Sequence, residues 1–317
     1  MSSATRTVVG LDLGGTQVKG GFVVEGEHHA PDVDQTLSRT ATIDTALDAG
    51  VEDLLDRLAR FARELGSDGP LGLGVPGVLE QPGGRLLRSA NLKALEGLDL
   101  GAELAQRLDL PREQVFVDND ANVATYGEQW LGAGAGIQDL IMLTLGTGIG
   151  SGLVINGKLY TGPTGKAAEV GHMVVRSRPA HGPEDPDLRC GCGAYGCLER
   201  LASASAAIRR ARAAGLETDL RTLSETARSR PGPERDLLFE IGFDLGAGLL
   251  AATSVLDVTC YIIGGGFGRS LDLLEPGIRA ALDERDYGHD PPRLLSATLG
   301  SAAGWIGAAR MALDSMD

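Results

Sequence analysis

The chain has 317 residues, of which 43% are hydrophobic and 23% charged, a composition typical of a folded, water-soluble protein and not of a fibre or a disordered chain. Its length favours about two domains. The formal net charge of −14 argues against binding to a nucleic acid backbone. The N-terminus has no basic segment followed by an apolar run, which argues against a secretory signal and favours a cytoplasmic location.

Hydrophobic patterns typical of strands and of helices alternate along the first half of the chain. They predict a β-hairpin at 7–13 and 17–24, a helix at 45–65, a strand at 71–75, a helix at 100–108 and a strand at 114–117. Asp118, Asn119 and Asp120 follow that strand and are favourable helix N-cap residues. We therefore expect a helix from this point to about residue 131.

The second half begins with the same strand, glycine turn and strand pattern as the first. The predicted strands lie at 139–145 and 149–155, and residues 157–197 are rich in loop signals. Residues 140–157 have no formal charge and the length of a membrane span, but their glycines argue against a transmembrane helix. Helices then lead to a strand at 259–263 and a final helix at 302–313. This order predicts an α/β protein.

Three glycine turns follow predicted strands and could bind phosphate oxygens through backbone amides. They are centred on Gly14–Gly15–Thr16, on Gly146–Thr147–Gly148 and on Gly265–Gly266. Asp12 precedes the first turn, where a carboxylate could serve as an oxygen ligand for Mg²⁺. One such turn alone is more typical of an ordinary hairpin, but three in sequence favour a nucleotide site.

Three cysteines lie within eight residues, with glycines between them. Cys190, Cys192 and Cys197, together with His172, provide the Cys₃His ligand set that structural zinc prefers. Disulfides are the alternative, but three cysteines leave one unpaired, and the cytoplasm is reducing. Cys260 lies in an apolar predicted strand and is interpreted as a buried small side chain.

Carboxylates flank the predicted metal ligands. Glu169 precedes His172 and Glu199 follows Cys197, so a bound metal would fix two hydrogen-bond acceptors in place. With Asn119 and Asp120 these residues suit a polyhydroxylated ligand and a candidate base. A simple helix cap is the alternative role of Asp120.

The combined motifs resemble the ROK family (repressors, open reading frames and sugar kinases). The resemblance lies in Asp12–Thr16, in residues 143–152, in Glu169–His172, and in the cysteine cluster with Glu199. It implies an actin-like ATPase (ribonuclease H-like) fold, with two α/β domains around a central cleft. The small domain would span 1–118, joined by a C-terminal helix at 302–317, and the large domain 119–301 with the zinc-binding loop.

The resemblance also implies roles for single residues. Asp120 would be the general base of an ATP-dependent hexose kinase, with glucose as the expected acceptor. The residues implied in substrate binding are Gly77, Asn91, Asn119, Asp120, Glu169, His172 and Glu199. Those implied in binding ATP and Mg²⁺ are Asp12, Gly14, Gly15, Thr16, Gly146, Thr147, Gly148, Gly265 and Gly266.

The chain departs from the family pattern at Gln17, Lys166 and Ala168, which affects the details of the phosphate and sugar contacts. N-Acetylmannosamine, N-acetylglucosamine and fructose stay open as acceptors, and polyphosphate as a donor. A sugar-sensing ROK transcriptional regulator is the alternative from another class. With only eleven residues before Asp12 and a strongly negative charge, we expect an enzyme that binds neither nucleic acid nor membrane and forms a homodimer or homotetramer.

Overall fold

A computed structural model describes residues 7–24, 33–67, 69–81, 83–179, 183–284 and 292–315. Residues 1–6, which were considered for a secretory signal, lie outside this part of the chain. So do residues 316–317 of the predicted C-terminal helix.

The described residues form twelve strands. They are β1 (Thr7–Leu13), β2 (Gln17–Val24), β3 (Ala41–Asp44), β4 (Leu71–Val75), β5 (Val78–Glu80), β6 (Arg85–Arg88), β7 (Val115–Asn119), β8 (Leu140–Leu145), β9 (Ile149–Ile155), β10 (Lys158–Leu159), β11 (Cys260–Gly264) and β12 (Arg293–Ser296).

Eleven α-helices are present in the same part of the chain. They are α1 (Val33–Ser38), α2 (Val51–Glu64), α3 (Leu100–Leu108), α4 (Asp120–Leu131), α5 (Glu199–Ala202), α6 (Ala204–Ala213), α7 (Leu220–Ser229), α8 (Pro233–Leu256), α9 (Gly265–Gly268), α10 (Leu271–Asp283) and α11 (Ala303–Asp314).

Two five-stranded sheets have the same topology. The first has the order β3-β2-β1-β4-β7 and the second the order β10-β9-β8-β11-β12. In the first sheet, β1 pairs antiparallel to β2 and parallel to β4, which pairs parallel to β7. In the second sheet, β11 is parallel to both β8 and β12. The repeated strand, glycine turn and strand pattern of the sequence therefore corresponds to a repeated sheet.

The chain folds into two compact units. The first unit comprises 1–138, 152–167 and 298–317, and the second comprises 139–151 and 168–297. The core of the first unit lies between the first sheet and helices α2 and α3, with Leu11, Leu58 and Leu73 fully buried. This division places α4 in the first unit, and the domain boundaries drawn from the sequence stay a prediction.

The predicted helix at 45–65 begins later than expected, at Val51. The backbone amide of Thr45 donates to Thr16 O at 2.8 Å, and its hydroxyl donates to Gly14 O at 2.7 Å. Ala46 then adopts a positive φ of 42°. Because Thr45 is bonded to the first glycine turn, the chain cannot enter an α-helix there.

Helix α8 is long and apolar enough to cross a membrane by composition alone, but half of its apolar window is buried. Gly242 and Gly246 of α8 bring its backbone close to α10, at Leu274 and Ile278. This is the packing of a core helix. The uncharged residues 140–157 form strands and a turn, so the prediction that they are not a transmembrane helix is confirmed.

Candidate active site

The first glycine turn joins β1 to β2 at the edge where β1 ends. Gly14 N donates to Gln17 O at 2.9 Å, which closes the turn, and Thr45 bonds to its carbonyls. Gly15 and Thr16 are exposed. A side chain at Gly15 would lie 3.3 Å from Cβ of Asn91, so the structure brings Asn91 to this turn.

Asp12 lies beside this turn, near the end of β1. Burial, and then the negative charge of Asp120, raise the pKa of Asp12 from 3.8 to about 7, while Lys19 lowers it. Its carboxylate also lies against Gly304 of α11, where a Cβ would collide with it. Asp12 and Asp120 are thus neighbours, and a divalent cation would relieve their repulsion.

The N-terminus of α4 is capped by Asn119. Its Oδ1 accepts from Ala121 N at 2.9 Å and from Asn122 N at 3.3 Å, while its Nδ2 donates to Gly77 O at 3.0 Å. Gly77 has a φ of +138° and no room for a side chain against Arg88 O. The Asn119 side chain also hydrogen-bonds the carboxylate of Asp120. The structure therefore brings Gly77 and Asn119 together.

Asp120 is the first residue of α4 and not its cap, so the simple helix-cap interpretation is wrong. Burial raises the pKa of Asp120, while hydrogen bonds from Ala121 N, its own amide and Asn119 lower it. The N-terminus of a helix favours the ionised form of a carboxylate. The Ala121 amide, 3.0 Å from Oδ1, does so, but burial has the larger effect. A raised pKa makes a carboxylate a stronger proton acceptor.

The second glycine turn joins β8 to β9 in the second unit. Gly146 N donates to Gly148 O at 3.0 Å, and Thr147 is exposed. Gly265 has a φ of +82°, and a Cβ there would collide with the backbone of Leu145, the residue before this turn. The second and third glycine segments are therefore adjacent.

A cavity of about 490 Å³ opens beside the third glycine segment. It is lined by Leu220, Arg221, Ser224, Glu225, Arg228, Gly266, Phe267, Arg269 and Ser270. Its walls carry both charged and apolar groups, and its volume lies in the range of small-molecule and cofactor sites.

The predicted metal ligands cluster in the second unit. The ligand atoms of His172, Cys190, Cys192 and Cys197 all lie within 4.8 Å of one another. Cys192 and Cys197 Sγ are 3.6 Å apart, and His172 Nδ1 is 3.5 Å from Cys190 Sγ. Zinc bonds of about 2.3 Å to sulfur and 2.0–2.1 Å to nitrogen place tetrahedral ligand atoms roughly 3.5–3.8 Å apart.

These distances fit a zinc ion and are too long for a disulfide, whose sulfur atoms lie about 2.05 Å apart. The four cysteines are free thiols. Cys260 is buried in β11, outside the cluster, as predicted.

Two carboxylates flank the cluster. Glu169 immediately precedes the 3₁₀ helix Val170–His172 and therefore lies next to a cluster residue in the chain. Glu199 begins α5, and its Oε1 is 3.7 Å from Cys190 Sγ. His172 directs Nδ1 into the cluster, which leaves Nε2 for another partner.

Sequence reasoning missed the residues that hold the site residues in place. Thr45 is buried and bonded to the first turn. Asp118, also buried, accepts from Asn119 N at 2.7 Å and from Asn122 Nδ2 at 2.9 Å. For Asp118 the signal was its position within the Asp-Asn-Asp run. Thr45 lies far from the turn in sequence and gave no signal.

The family relationship follows from comparison with known proteins. The model of the ROK family matches residues 8–315. The chain belongs to the ROK family. The predicted resemblance is thereby confirmed, as is the α/β fold, because the two five-stranded sheets match the two-domain fold of ROK proteins and actin-like ATPases.

Relatives within the ROK family include bacterial glucokinases. The chain is 40% identical over 202 residues to a glucokinase of Thermotoga maritima, an alignment that spans 63% of this chain and 58% of that protein. It is 31% identical to a glucokinase of Halalkalibacterium halodurans, covering 95% and 93% of the two chains. A ROK glucokinase from Streptomyces griseus, crystallised with glucose and AMPPNP, is 31% identical with a TM-score of 0.73, covering 96% and 98%.

Proposed function

We propose that this ROK protein transfers the γ-phosphoryl group of ATP to a hexose, with the 6-hydroxyl of glucose as the acceptor. The observation that carries the proposal is the pair of neighbouring carboxylates, Asp12 near the end of β1 and Asp120 directly after β7. Asp12 lies in the strand just before an exposed glycine turn, and Asp120 begins a helix. Phosphoryl transfer needs one group to hold Mg²⁺ and another to accept a proton.

In this mechanism Asp120 accepts the proton of the attacking hydroxyl. The hydroxyl oxygen forms the new bond to the γ-phosphorus, and the bond from that phosphorus to the β–γ bridging oxygen breaks, which releases ADP. Asp12 would hold the Mg²⁺ that accompanies the nucleotide. The backbone amides of the glycine turns would bind phosphate oxygens. The protein's main contribution is to position the reactants and stabilise charge.

The remaining site residues would hold the two substrates. The side-chain amide of Asn119, Nε2 of His172, and the carboxylates of Glu169 and Glu199 would bind sugar hydroxyls. Gly77 and Asn91 would complete the sugar contacts. Gly265 and Gly266 would lie against the adenosine, with the cavity beside Gly266 as its pocket.

His172, Cys190, Cys192 and Cys197 would hold a structural zinc ion. The zinc would supply no chemistry to the transfer itself. It would fix the tautomer of His172 by binding one ring nitrogen, and so direct the other toward the sugar.

The Asp120→Asn variant tests the proposed base. Asparagine keeps the size of the side chain but cannot accept a proton, so we expect kcat for glucose to fall about 100-fold or more, with sugar affinity largely retained. A coupled ADP-release assay measures kcat, and calorimetry measures glucose binding. The same assay over a panel of hexoses, with ATP or polyphosphate as donor, identifies the substrates.

Asp109→Asn is the matched control for this variant. Asp109 is the left-handed C-cap residue of α3, with a φ of 58°, a conformation that asparagine tolerates. The control should retain wild-type kcat. A near-normal kcat for Asp120→Asn rules out its role as base, and an unmodified protein that consumes no ATP with any hexose offered contradicts the proposed function.

A further inference from the structure

Glu199 contacts both the group of predicted zinc ligands and the second glycine turn. Its Oε2 accepts a hydrogen bond from Ile149 N at 3.1 Å, and its Oε1 lies 3.7 Å from Cys190 Sγ. Ile149 is the first residue of β9, directly after the turn. One side chain therefore links a metal-ligand candidate to the backbone where the turn ends.

The turn is fitted closely around this carboxylate. A Cβ at Gly148 would collide with Oε2 of Glu199, so no other residue type could replace Gly148 without moving one of the two. On the other side of the turn, Ala204 N donates to Gly146 O at 2.9 Å. The short segment from Glu199 to Ala204 thus holds both ends of the turn.

We infer that Glu199 is a positioning residue for the second glycine turn, in addition to its proposed contact with the sugar. A hydrogen bond to a carboxylate is stronger than one between neutral groups, and this one fixes the backbone beside the amides proposed to bind phosphate. Loss of this acceptor oxygen should loosen the turn and weaken nucleotide binding before any sugar is present. The effect on nucleotide affinity rests on the proposed function, whereas the effect on the turn does not.

Hydrogen exchange at the Ile149 amide tests the structural half. Glu199→Ala removes the acceptor, and Glu199→Asp shortens the side chain by one methylene and so moves the acceptor away. Both variants should speed exchange of this amide about 10-fold or more. Glu199→Gln retains an acceptor oxygen at the original length and should restore protection. Glu284→Ala, an exposed glutamate at the end of α10, is the control and should exchange as the unmodified protein does. Unchanged protection in both the Ala and Asp variants overturns the inference, as does equally fast exchange in Glu199→Gln.

Calorimetric titration with AMPPNP, without sugar, tests the functional half. We expect Kd to rise about 10-fold in Glu199→Ala and to stay near the unmodified value in Glu199→Gln. If Glu199 served the sugar alone, both variants would lose hexose affinity and keep AMPPNP affinity, and that result overturns the positioning role. Failure of the unmodified protein to bind AMPPNP would instead contradict the proposed function and leave the exchange result intact. Elemental analysis of each variant checks that its zinc content matches that of the unmodified protein.

Discussion

At the scale of single residues, the candidate site is defined by carboxylates that are partly or fully buried. Asp12, Asp118 and Asp120 all have raised pKa values, and burial is the first cause in each case. Asp118 accepts hydrogen bonds from Asn119 and Asn122, whereas the pKa of Asp12 is raised further by the charge of Asp120. Carboxylates whose pKa is raised by burial are typical of functional sites and reduce stability when ionised.

The pKa of Asp12 predicts how stability depends on pH. Its value is about 7 in the folded chain and 3.8 as the ordinary reference, so its unfavourable ionisation is absent below pH 4 and complete above pH 7. Without Mg²⁺, Asp12→Asn should therefore match the unmodified protein near pH 4 and exceed its free energy of unfolding by up to about 4 kcal/mol near pH 8. Urea unfolding of both proteins across this range is the measurement. Parallel stability profiles would show that Asp12 is not perturbed.

At the scale of elements, the packing of α11 depends on glycines. A Cβ at Gly72 of β4 would collide with the carbonyl of Ala308, and one at Gly307 would collide with that of Val123 in α4. Gly304 of the same helix lies against the carboxylate of Asp12. These glycines let α11 approach a sheet and a helix at backbone distance, and so they help to shape the surroundings of Asp12.

We expect Gly307→Ala to destabilise the protein by at least about 2 kcal/mol, because the added methyl group meets backbone atoms that cannot move aside. Gly83→Ala is the matched control, since a Cβ there comes no closer than 4.0 Å to Glu80 O and the φ is not positive. Thermal unfolding followed by circular dichroism compares the two. Equal melting temperatures would mean that α11 can shift to accommodate the methyl group.

At the scale of the whole molecule, the region that carries the predicted zinc ligands has little regular secondary structure to stabilise it. The described part of residues 170–198 contains two 3₁₀ helices and a pair of isolated bridges, at Val174–Cys197 and Arg189–Tyr195. Its local core consists of Leu188, Tyr195 and Leu201, with Val175 packed against them. A bound zinc ion would add its binding free energy to that of folding, because the ligands meet only in the folded chain.

Removal of zinc should therefore lower the melting temperature of the entire protein. At free zinc 100 times above Kd, the linkage contributes about 2.7 kcal/mol, and a chelator should lower Tm by about 4 °C, reversed by zinc but not by magnesium. Cys192→Ala should lose the metal and this response, whereas Cys260→Ala, outside the cluster, should keep one zinc ion per chain. Metal-free protein whose Tm is indifferent to chelator would contradict the zinc site.

The sequence was informative wherever the signal was local. Periodicity alone predicted the bounds of β1, β2, β4, α3 and β9 as the structure has them. The cysteine spacing predicted the group of zinc-ligand candidates, because eight residues rich in glycine can bring three sulfur atoms together. The short strands β3 and β12 and the short helix α1 were missed, since four to six residues carry too little hydrophobic periodicity to be recognised.

Only the tertiary structure decided which distant residues meet. The proximity of Asp12 to Asp120 results from the pairing of β1 and β7 with β4, and the pKa of about 7 follows from burial and then from that proximity. The contacts of Thr45 with the first turn, and of Glu199 with Ile149, likewise join segments far apart in the chain. Local periodicity determines elements through interactions a few residues apart, whereas hydrogen bonds and desolvation depend on the three-dimensional neighbours that the folded core brings together.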